Sequence, residues 1–221
     1  SYRGHAHPIT DIAWSANNFI ASASIDGTVR IWHVTFPECL CSLDHPEVVT
    51  SVRFHPVDDR FVLTGCMGSR LRLWSISEKR VVCWNDVSSK ASDPHTAITA
   101  VSFTSNGALA VAGTMSGDCI FFEFEGLKYN TQIQVRSSRG RNAKGRKITA
   151  IEPMPVQLHG EERLLITSND SRVRLYNVRD KSLHRKFKGL QNRSSQIRAG
   201  VSDDGRFIVA GSEDRGVYLW N

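Results

Sequence analysis

A histidine, a serine and an aspartate near the start of the chain are the residue types that hydrolases combine for acyl transfer. They are His5, Ser22 and Asp26, and an apolar run that ends at Trp32 follows them. In a hydrolase the histidine takes the proton of the serine and the aspartate orients the histidine. The same side chains also form buried hydrogen-bond networks that stabilise a fold. The strands and turns that carry these residues determine whether the set is a catalytic triad or a structural hydrogen-bond network.

A second candidate for chemistry is a glycine-containing segment in the middle of the chain. Gly140 and Gly145 have the separation of the two glycines in a phosphate-binding loop. Arg146 and Lys147 stand where such a loop needs a lysine and then a serine or threonine, and a strand is predicted to follow instead of a helix. These differences argue against nucleotide binding, and we predict no cofactor.

The same segment concentrates positive charge. Six cations lie within twelve residues that include no acid, and they are Arg136, Arg139, Arg141, Lys144, Arg146 and Lys147. The net charge of the whole chain is +6, so the remainder is near neutral. Clustered arginines bind carboxylates and phosphates through paired hydrogen bonds. The segment is therefore a candidate site for an anionic partner, and a solvated loop is the alternative.

The five cysteines, which include no C-x-x-C pair, favour neither a disulfide framework nor a zinc site. They fit a reducing, cytosolic setting. The cysteine pattern also leads us to expect no bound metal. No apolar stretch is long enough to cross a membrane, so we expect a soluble chain.

Two short patterns recur along the chain. An aliphatic residue followed by threonine opens a unit at residues 9–12, 49–52, 98–101 and 148–151, and a degenerate copy lies at 197–199. An aromatic residue closes each unit, and these residues are Trp32, Trp74, Phe122, Tyr176 and Trp220. Their spacings of 42, 48, 54 and 44 residues are typical of four-stranded propeller blades with loop insertions in the third and fourth copies.

Continuous apolar runs lie between the two patterns, for example at 61–65, 109–113 and 207–211. Such runs are too apolar for strands with one exposed face, and packing between neighbouring blades would bury both faces. The sequence therefore predicts an all-β propeller. Its five blades are expected at about residues 1–43, 44–84, 85–125, 126–180 and 181–221.

The first unit, from Gly4 and His5 through Ser22 and Asp26 to Trp32, resembles the signature of the WD-repeat family. The resemblance implies that His5, Ser22, Asp26 and Trp32 form a buried network that ties three strands of the blade together. We therefore predict a structural role for them, and no catalytic residues.

The other units depart from that signature. Gly68 and Ser116 replace the turn aspartate in the second and third units, and the last two units lack the histidine. His45 and His95 lie in the corresponding loops of the second and third units. Without turn partners, both are predicted to be exposed, and these blades are expected to rely on packing.

Both ends of the sequence fall within blades. Propellers hide their sheet edges by completing the last blade with a strand from the other end of the chain. We therefore expect the 221 residues to be the middle of a longer, seven-bladed ring.

Two surfaces of such a ring are candidates for partner binding. One is the basic segment, joined by a second group one blade later that comprises Arg179, Lys181, Arg185, Lys186 and Lys188. The other is the rim formed by the residues that precede the turns, which are Ile25, Met67, Met115, Asn169 and Glu213. The apolar members of this rim would suit an apolar peptide, and core packing of the same residues is the alternative.

Three runs, at residues 129–141, 145–153 and 167–176, resemble a more specific group, the rabphilin-like WD-repeat scaffolds that bind a Rab GTPase of recycling endosomes. The resemblance implies a cytosolic adaptor in vesicle trafficking that is peripheral on endosomal membranes. Two other functions stay open: an RNA- or ribonucleoprotein-binding propeller, disfavoured because Tyr129 alone among aromatic residues lies near the first basic group, and a substrate receptor of a ubiquitin ligase.

Overall fold

The computed structural model describes residues 2–93, 95–136, 145–155 and 160–221. Within these residues the protein is all-β, with four four-stranded antiparallel sheets and one three-stranded sheet. The sheets are the five blades, and each is a meander in which neighbours along the chain are neighbours in the sheet.

The bounds of the strands follow the repeat. The first blade comprises β1 (Ile9–Trp14), β2 (Phe19–Ser24), β3 (Thr28–His33) and β4 (Phe36–Asp44). The second comprises β5 (Val49–Phe54), β6 (Phe61–Cys66), β7 (Arg70–Ser75) and β8 (Arg80–Asp86). The third comprises β9 (Ile98–Phe103), β10 (Leu109–Thr114), β11 (Asp118–Glu123) and β12 (Tyr129–Gln134). The fourth comprises β13 (Ile148–Pro153), β14 (Arg163–Ser168), β15 (Arg172–Asn177) and β16 (Leu183–Phe187). The fifth comprises β17 (Ala199–Val201), β18 (Ile208–Gly211) and β19 (Val217–Trp220). Short 3-10 helices lie at Val87–Ser89 and Glu125–Leu127.

The third and fourth blades extend further than the sequence suggested. β12 pairs with β11, so the third blade runs past residue 125 to Gln134. Likewise β16 pairs with β15, and the fourth blade therefore includes residues up to Phe187. The physical reason is that the closing aromatic marks the third strand of a blade and the outer strand comes after it.

The core lies between blades. Each buried apolar cluster joins two neighbouring sheets, as in the cluster that packs Ala21 and Val29 of the first blade against Val49 and Val62 of the second. In the second and third blades, a glycine lies one residue before the end of the second strand, where the next blade approaches closely. A Cβ at Gly65 would lie 2.5 Å from the side chain of Ile98 in the next blade. The runs at 61–65 and 109–113 are therefore buried on both faces. For the run at 207–211 the prediction is wrong, because Phe207 and Val209 are exposed on a face of the fifth blade that no other sheet covers among the described residues.

The recurring threonine explains how blades are joined near the axis. Thr10, Thr50 and Thr99 each donate a hydrogen bond to the carbonyl of the residue that precedes the equivalent position in the next blade. The acceptors are Val49 at 2.6 Å, Ile98 at 2.7 Å and Ile148 at 2.6 Å. Thr149 departs from this pattern, because its buried hydroxyl has no hydrogen-bond partner among the described residues.

This difference provides a matched pair of substitutions. We expect Thr99→Val to lower the free energy of unfolding by about 1–2 kcal/mol, because it removes a hydrogen bond between blades. We expect Thr149→Val to leave stability unchanged or to raise it slightly, since it removes a buried hydroxyl that has no partner. Urea unfolding of both variants measures the difference. Equal losses of stability would contradict the role given to Thr99.

Charged side chains cross the axis. Asp11 of the first blade accepts from Arg53 of the second at 3.1 Å and from Arg198 of the fifth at 2.6 Å. Arg53 also contacts Glu152 of the fourth blade at 2.9 Å. Two cations and two acids therefore balance one another across the axis and link four blades.

The outward faces of the first and fifth blades expose apolar side chains. Trp14 is 61% exposed in the first blade, and Val217 is 76% exposed in the fifth. Neither face is covered by another sheet among the described residues. The ring of seven blades stays a prediction.

Candidate partner-binding surface

The network of the first blade is a linear chain of hydrogen bonds. The Trp32 indole donates to the Ser22 hydroxyl at 2.8 Å, and the Ser22 oxygen lies 2.8 Å from Nε2 of His5. His5 Nδ1 lies 2.9 Å from the Asp26 carboxylate. The side chains of His5 and Asp26 are only 6% and 9% exposed. Ser22 is itself buried and its oxygen is shared by His5 and Trp32, so the arrangement suits a structural network that ties β2 and β3 to the segment before β1.

Asp26 is held as a carboxylate. Burial acts to raise its pKa, but hydrogen bonds from Thr28 and His5 outweigh burial and hold the pKa well below its usual value. Thr28 donates both its backbone N–H at 2.9 Å and its hydroxyl at 2.7 Å. The charged carboxylate therefore fixes the tight turn between β2 and β3.

The prediction that His45 is exposed is wrong. Its Nε2 lies 2.9 Å from the Thr64 hydroxyl and accepts from the Trp74 indole at 3.0 Å. Its Nδ1 lies 3.0 Å from the carbonyl of Leu43, which takes the place of a turn carboxylate. Burial lowers the pKa of His45 to about 4. His95 of the third blade is exposed, as predicted.

The third blade forms a network from different residue types. Asp118 is buried within β11 and accepts from the hydroxyls of Ser92 and Ser116, both at 2.6 Å. Ser116, which replaces the turn aspartate, also lies 3.1 Å from the hydroxyl of Thr96. In the sequence, the signal that could have indicated this network was Asp118, an aspartate two positions after Ser116.

The fourth blade buries an ion pair. Arg174 is 1% exposed, and its guanidinium binds both oxygens of Asp170 at the β14–β15 turn. The same guanidinium donates to the hydroxyl of Ser168 at 2.9 Å and to the carbonyl of Arg136 at 3.3 Å. This ion pair therefore reaches from the fourth blade to the start of the basic segment, so the fourth blade does not rely on packing alone.

The structure brings the two ends of the basic segment to one turn. The residue before Arg136, Val135, donates its N–H to the carbonyl of Gly117 at 2.8 Å. A Cβ on Gly117 would lie 2.7 Å from the backbone nitrogen of Arg146. The exposed side chains of Arg136 and Arg146 therefore flank the turn between β10 and β11. Arg139, Arg141 and Lys144 lie outside the described residues.

The second basic group adjoins this surface. Lys186 of β16 pairs across the sheet with Arg174, which contacts the backbone of Arg136. Lys181 places its ammonium 4.6 Å from the centre of the Phe121 ring in the third blade. Arg185 and Lys188 are exposed. The junction of the third and fourth blades therefore carries cations of both groups, and we call it the basic junction. Its members among the described residues are Arg136, Arg146, Lys181 and Lys186.

The predicted rim is exposed in its apolar part. Ile25, Met67 and Met115 are 46%, 58% and 44% exposed, so the alternative of core packing is wrong for these three residues. Glu213, in contrast, is engaged by the backbone N–H groups of residues 193–195. Lys147 is half-buried beside the two methionines, at the mouth of the axis.

Two further kinds of site are absent from the described part of the chain. Across residues 2–93, 95–136, 145–155 and 160–221, no three His, Cys, Asp or Glu side chains are grouped as ligands of a metal ion. Among these same residues, no helix has the length and apolar character needed to span a membrane.

Comparison with known proteins gives one consistent result. The WD domain, G-beta repeat, matches residues 1–33, 37–75 and 187–221. Over its whole length the chain is 51% identical to a segment of WD repeat-containing protein 44 of Xenopus laevis, and that segment makes up 23% of the relative. It is 31% identical to a segment of the 2-deoxy-glucose resistant protein 2 of Saccharomyces cerevisiae that makes up 27% of that protein. It is 27% identical to a segment of Jouberin of Mus musculus that makes up 21% of that protein. The chain thus spans about a quarter of the length of these relatives.

Proposed function

This chain is a WD-repeat protein that resembles WD repeat-containing protein 44, and on that premise we propose that it is a non-catalytic adaptor in Rab-dependent endosomal trafficking. Propellers of WD repeats act as protein-interaction scaffolds, and the His-Ser-Asp set of this chain is buried in a structural network. The proposed partner is a protein that presents an acidic segment to the basic junction.

One observation carries the location of the partner surface. The fold places Arg136 and Arg146, ten positions apart in sequence, next to the same turn of the third blade, the turn between β10 and β11. Both side chains are exposed, and neither forms an ion pair within the described residues. Arginine side chains bind carboxylates well, since a guanidinium group forms two parallel hydrogen bonds with the two oxygens of a carboxylate.

The trafficking part of the proposal rests on sequence resemblance. The runs at residues 129–141, 145–153 and 167–176 resemble those of rabphilin-like, Rab-binding scaffolds, and two of them border the basic junction. A location in the cytoplasm and at the surface of endosomes follows from the same resemblance. The Rab GTPase itself need not bind these blades for the adaptor role to hold.

Charge reversal tests the basic junction. In the full-length protein, Arg136, Arg139, Arg141 and Arg146 are changed together to Glu, and proximity labelling in cells is compared with the unchanged protein. We expect labelling of at least one abundant neighbour to fall by tenfold or more, because each lost charge-assisted hydrogen bond costs about 1.5–3 kcal/mol. Thermal unfolding checks that the four substitutions leave the fold intact.

A second set of four exposed cations, all outside the two basic groups, provides the control for net charge: Lys79, Lys128, Arg193 and Arg206, all changed to Glu. Labelling should persist in this variant. An unchanged neighbour profile in the first variant would refute the basic junction as the partner surface. Neighbours that are ribonucleoproteins or ubiquitin-ligase subunits, with no endosomal Rab among them, would replace the trafficking role with one of the two alternatives.

A further inference from the structure

A cavity of about 230 Å³ opens at the mouth of the propeller axis, next to the basic junction. Three of its lining residues are the threonines that join the blades, and the others are Met67, Met115, Lys147 and Gln196. It thus combines the exposed methionines of the rim with the last cation of the basic segment.

Most polar atoms of this cavity are already engaged. The hydroxyls of Thr10, Thr50 and Thr99 donate to carbonyls of neighbouring blades. The side-chain amide of Gln196 donates to the carbonyls of Thr99 at 3.2 Å and Thr149 at 2.8 Å. These residues therefore present methyl and methylene groups to a ligand, and their polar groups add little to its recognition.

Lys147 is the exception. Its carbonyl accepts from the backbone N–H of Asn169 at 2.9 Å, which fixes the residue at the edge of the cavity. Its side chain is half-buried, and burial lowers the pKa of its ammonium. No acid in the described part of the chain forms an ion pair with it. A half-buried cation without a counter-ion gains most from a ligand that carries a negative charge.

The two methionines supply the apolar contact. Met67 is 58% exposed and Met115 is 44% exposed, although both line the same concave site. Unbranched, polarizable methionine side chains adapt to apolar ligands of different shapes, which makes them frequent at peptide-binding surfaces. An apolar group that enters the cavity would bury both side chains.

We propose that this cavity binds the anchor residue of the partner peptide: an apolar side chain of the size of leucine, adjacent in sequence to an aspartate or glutamate that contacts Lys147. The inference rests on the proposed function and specifies the partner's chemistry. The apolar side chain lies between the two methionines, and the neighbouring carboxylate replaces the water that solvates the ammonium. The remaining acidic residues of the partner then extend over the basic junction.

Methyl NMR tests this binding mode, since the chain contains three methionines. The third, Met154, packs between the fourth and fifth blades and serves as an internal control. The probe is an acetylated, amidated tetrapeptide with leucine followed by aspartate between two glycines. We expect its addition to shift the methyl signals of Met67 and Met115 with a dissociation constant of about 1 mM, and to leave that of Met154 unchanged.

Matched probes and variants decide the outcome. Replacement of the leucine of the probe by serine, or of its aspartate by asparagine, should weaken binding by about tenfold each. Lys147→Gln should remove the preference for aspartate over asparagine and leave the preference for leucine. If the Leu-Asp probe shifts neither methionine, or if Lys147→Gln binds all probes as the unchanged protein does, the inference is overturned.

This experiment is separable from the test of the basic junction. The four-arginine variant retains Lys147 and both methionines, so it should still bind the Leu-Asp probe. Failure of the probe together with loss of neighbours in the four-arginine variant would reject the cavity and retain the basic junction. Probe binding together with an unchanged neighbour profile would reject the basic junction and retain the cavity.

Discussion

Asp170→Ala is expected to lower the free energy of unfolding by about 3–5 kcal/mol, the cost of leaving a buried charge without its partner. Arg174 is almost completely buried, and Asp170 is the acid that neutralises it. After the substitution, the guanidinium keeps only neutral acceptors, the hydroxyl of Ser168 and the carbonyl of Arg136. Urea unfolding at neutral pH measures the loss.

A second substitution separates the charge from the turn. In Asp170→Ala combined with Arg174→Met, no charge stays buried, and a flexible apolar side chain fills the space. We expect the double variant to recover most of the lost stability. If it is as unstable as Asp170→Ala, the loss arises from the turn between β14 and β15 and not from the unpaired cation.

An exposed ion pair of the same blade is the control. Glu161, which is largely exposed, binds Arg163 at 3.0 Å. Because exposed pairs contribute about 0–1 kcal/mol, Glu161→Ala should have little effect. Asp170→Ala also removes the carboxylate that orients the Arg174 guanidinium, which donates to the backbone of Arg136, so it should disturb the basic junction. Neighbour labelling of this variant should therefore fall, whereas that of Glu161→Ala should not.

The architecture was predictable from the sequence because its causes are local and repeated. An aliphatic-threonine opening, a continuous apolar run and a closing aromatic each report burial on both faces, and blade packing supplies it. The position of the outer strands was less predictable, since β12 and β16 consist mostly of exposed residues and carry little apolar signal.

The networks within the blades were predictable only where the residue types matched the signature. Trp74 and His45 lie 29 positions apart, and a backbone carbonyl replaces the missing turn carboxylate. In the third and fourth blades, Asp118 and Arg174 fill the same need with other side chains. A search for histidine and turn aspartate finds the first network and misses the rest, because burial requires satisfied polar groups and does not prescribe which residues satisfy them.

The candidate site was predicted in composition but not in geometry. Clustering of arginines indicated an anionic partner, yet the sequence gives no sign that Gly117 brings Arg136 and Arg146 to one turn. Nor does it separate Lys147, which belongs to the mouth of the axis, from its neighbour Arg146. Both distinctions depend on contacts between blades that are far apart in sequence.

His45 is expected to make the protein less stable in mild acid. Its Nδ1 proton is directed at the carbonyl of Leu43, and its Nε2 accepts from the indole of Trp74, so a second proton on Nε2 would replace the hydrogen bond from the indole. Burial accordingly lowers the pKa of His45 from 6.5 to about 4. In the unfolded chain the same imidazole takes up a proton near pH 6.5.

The pKa of His45 is therefore lower in the folded protein than in the unfolded chain. Between pH 6.5 and 4 the unfolded chain binds a proton at His45 and the folded protein does not, so a falling pH favours unfolding. The contribution of His45 to the free energy of unfolding is fully present above pH 6.5 and is lost progressively as the pH falls to 4. From pH 7.5 to pH 5 this residue should remove about 2 kcal/mol from the free energy of unfolding.

His45→Gln isolates the effect. Glutamine does not titrate, and its carbonyl oxygen still accepts from the indole of Trp74 and its amide still donates. The variant should therefore lose less stability than the unchanged protein when urea unfolding is repeated from pH 7.5 to pH 5, by about 2 kcal/mol. Subtracting the two pH profiles removes the contribution of His55, whose pKa burial also lowers. His95→Gln, at an exposed histidine, should follow the unchanged protein. Parallel profiles for His45→Gln and the unchanged protein would show that His45 is not held neutral by the second blade.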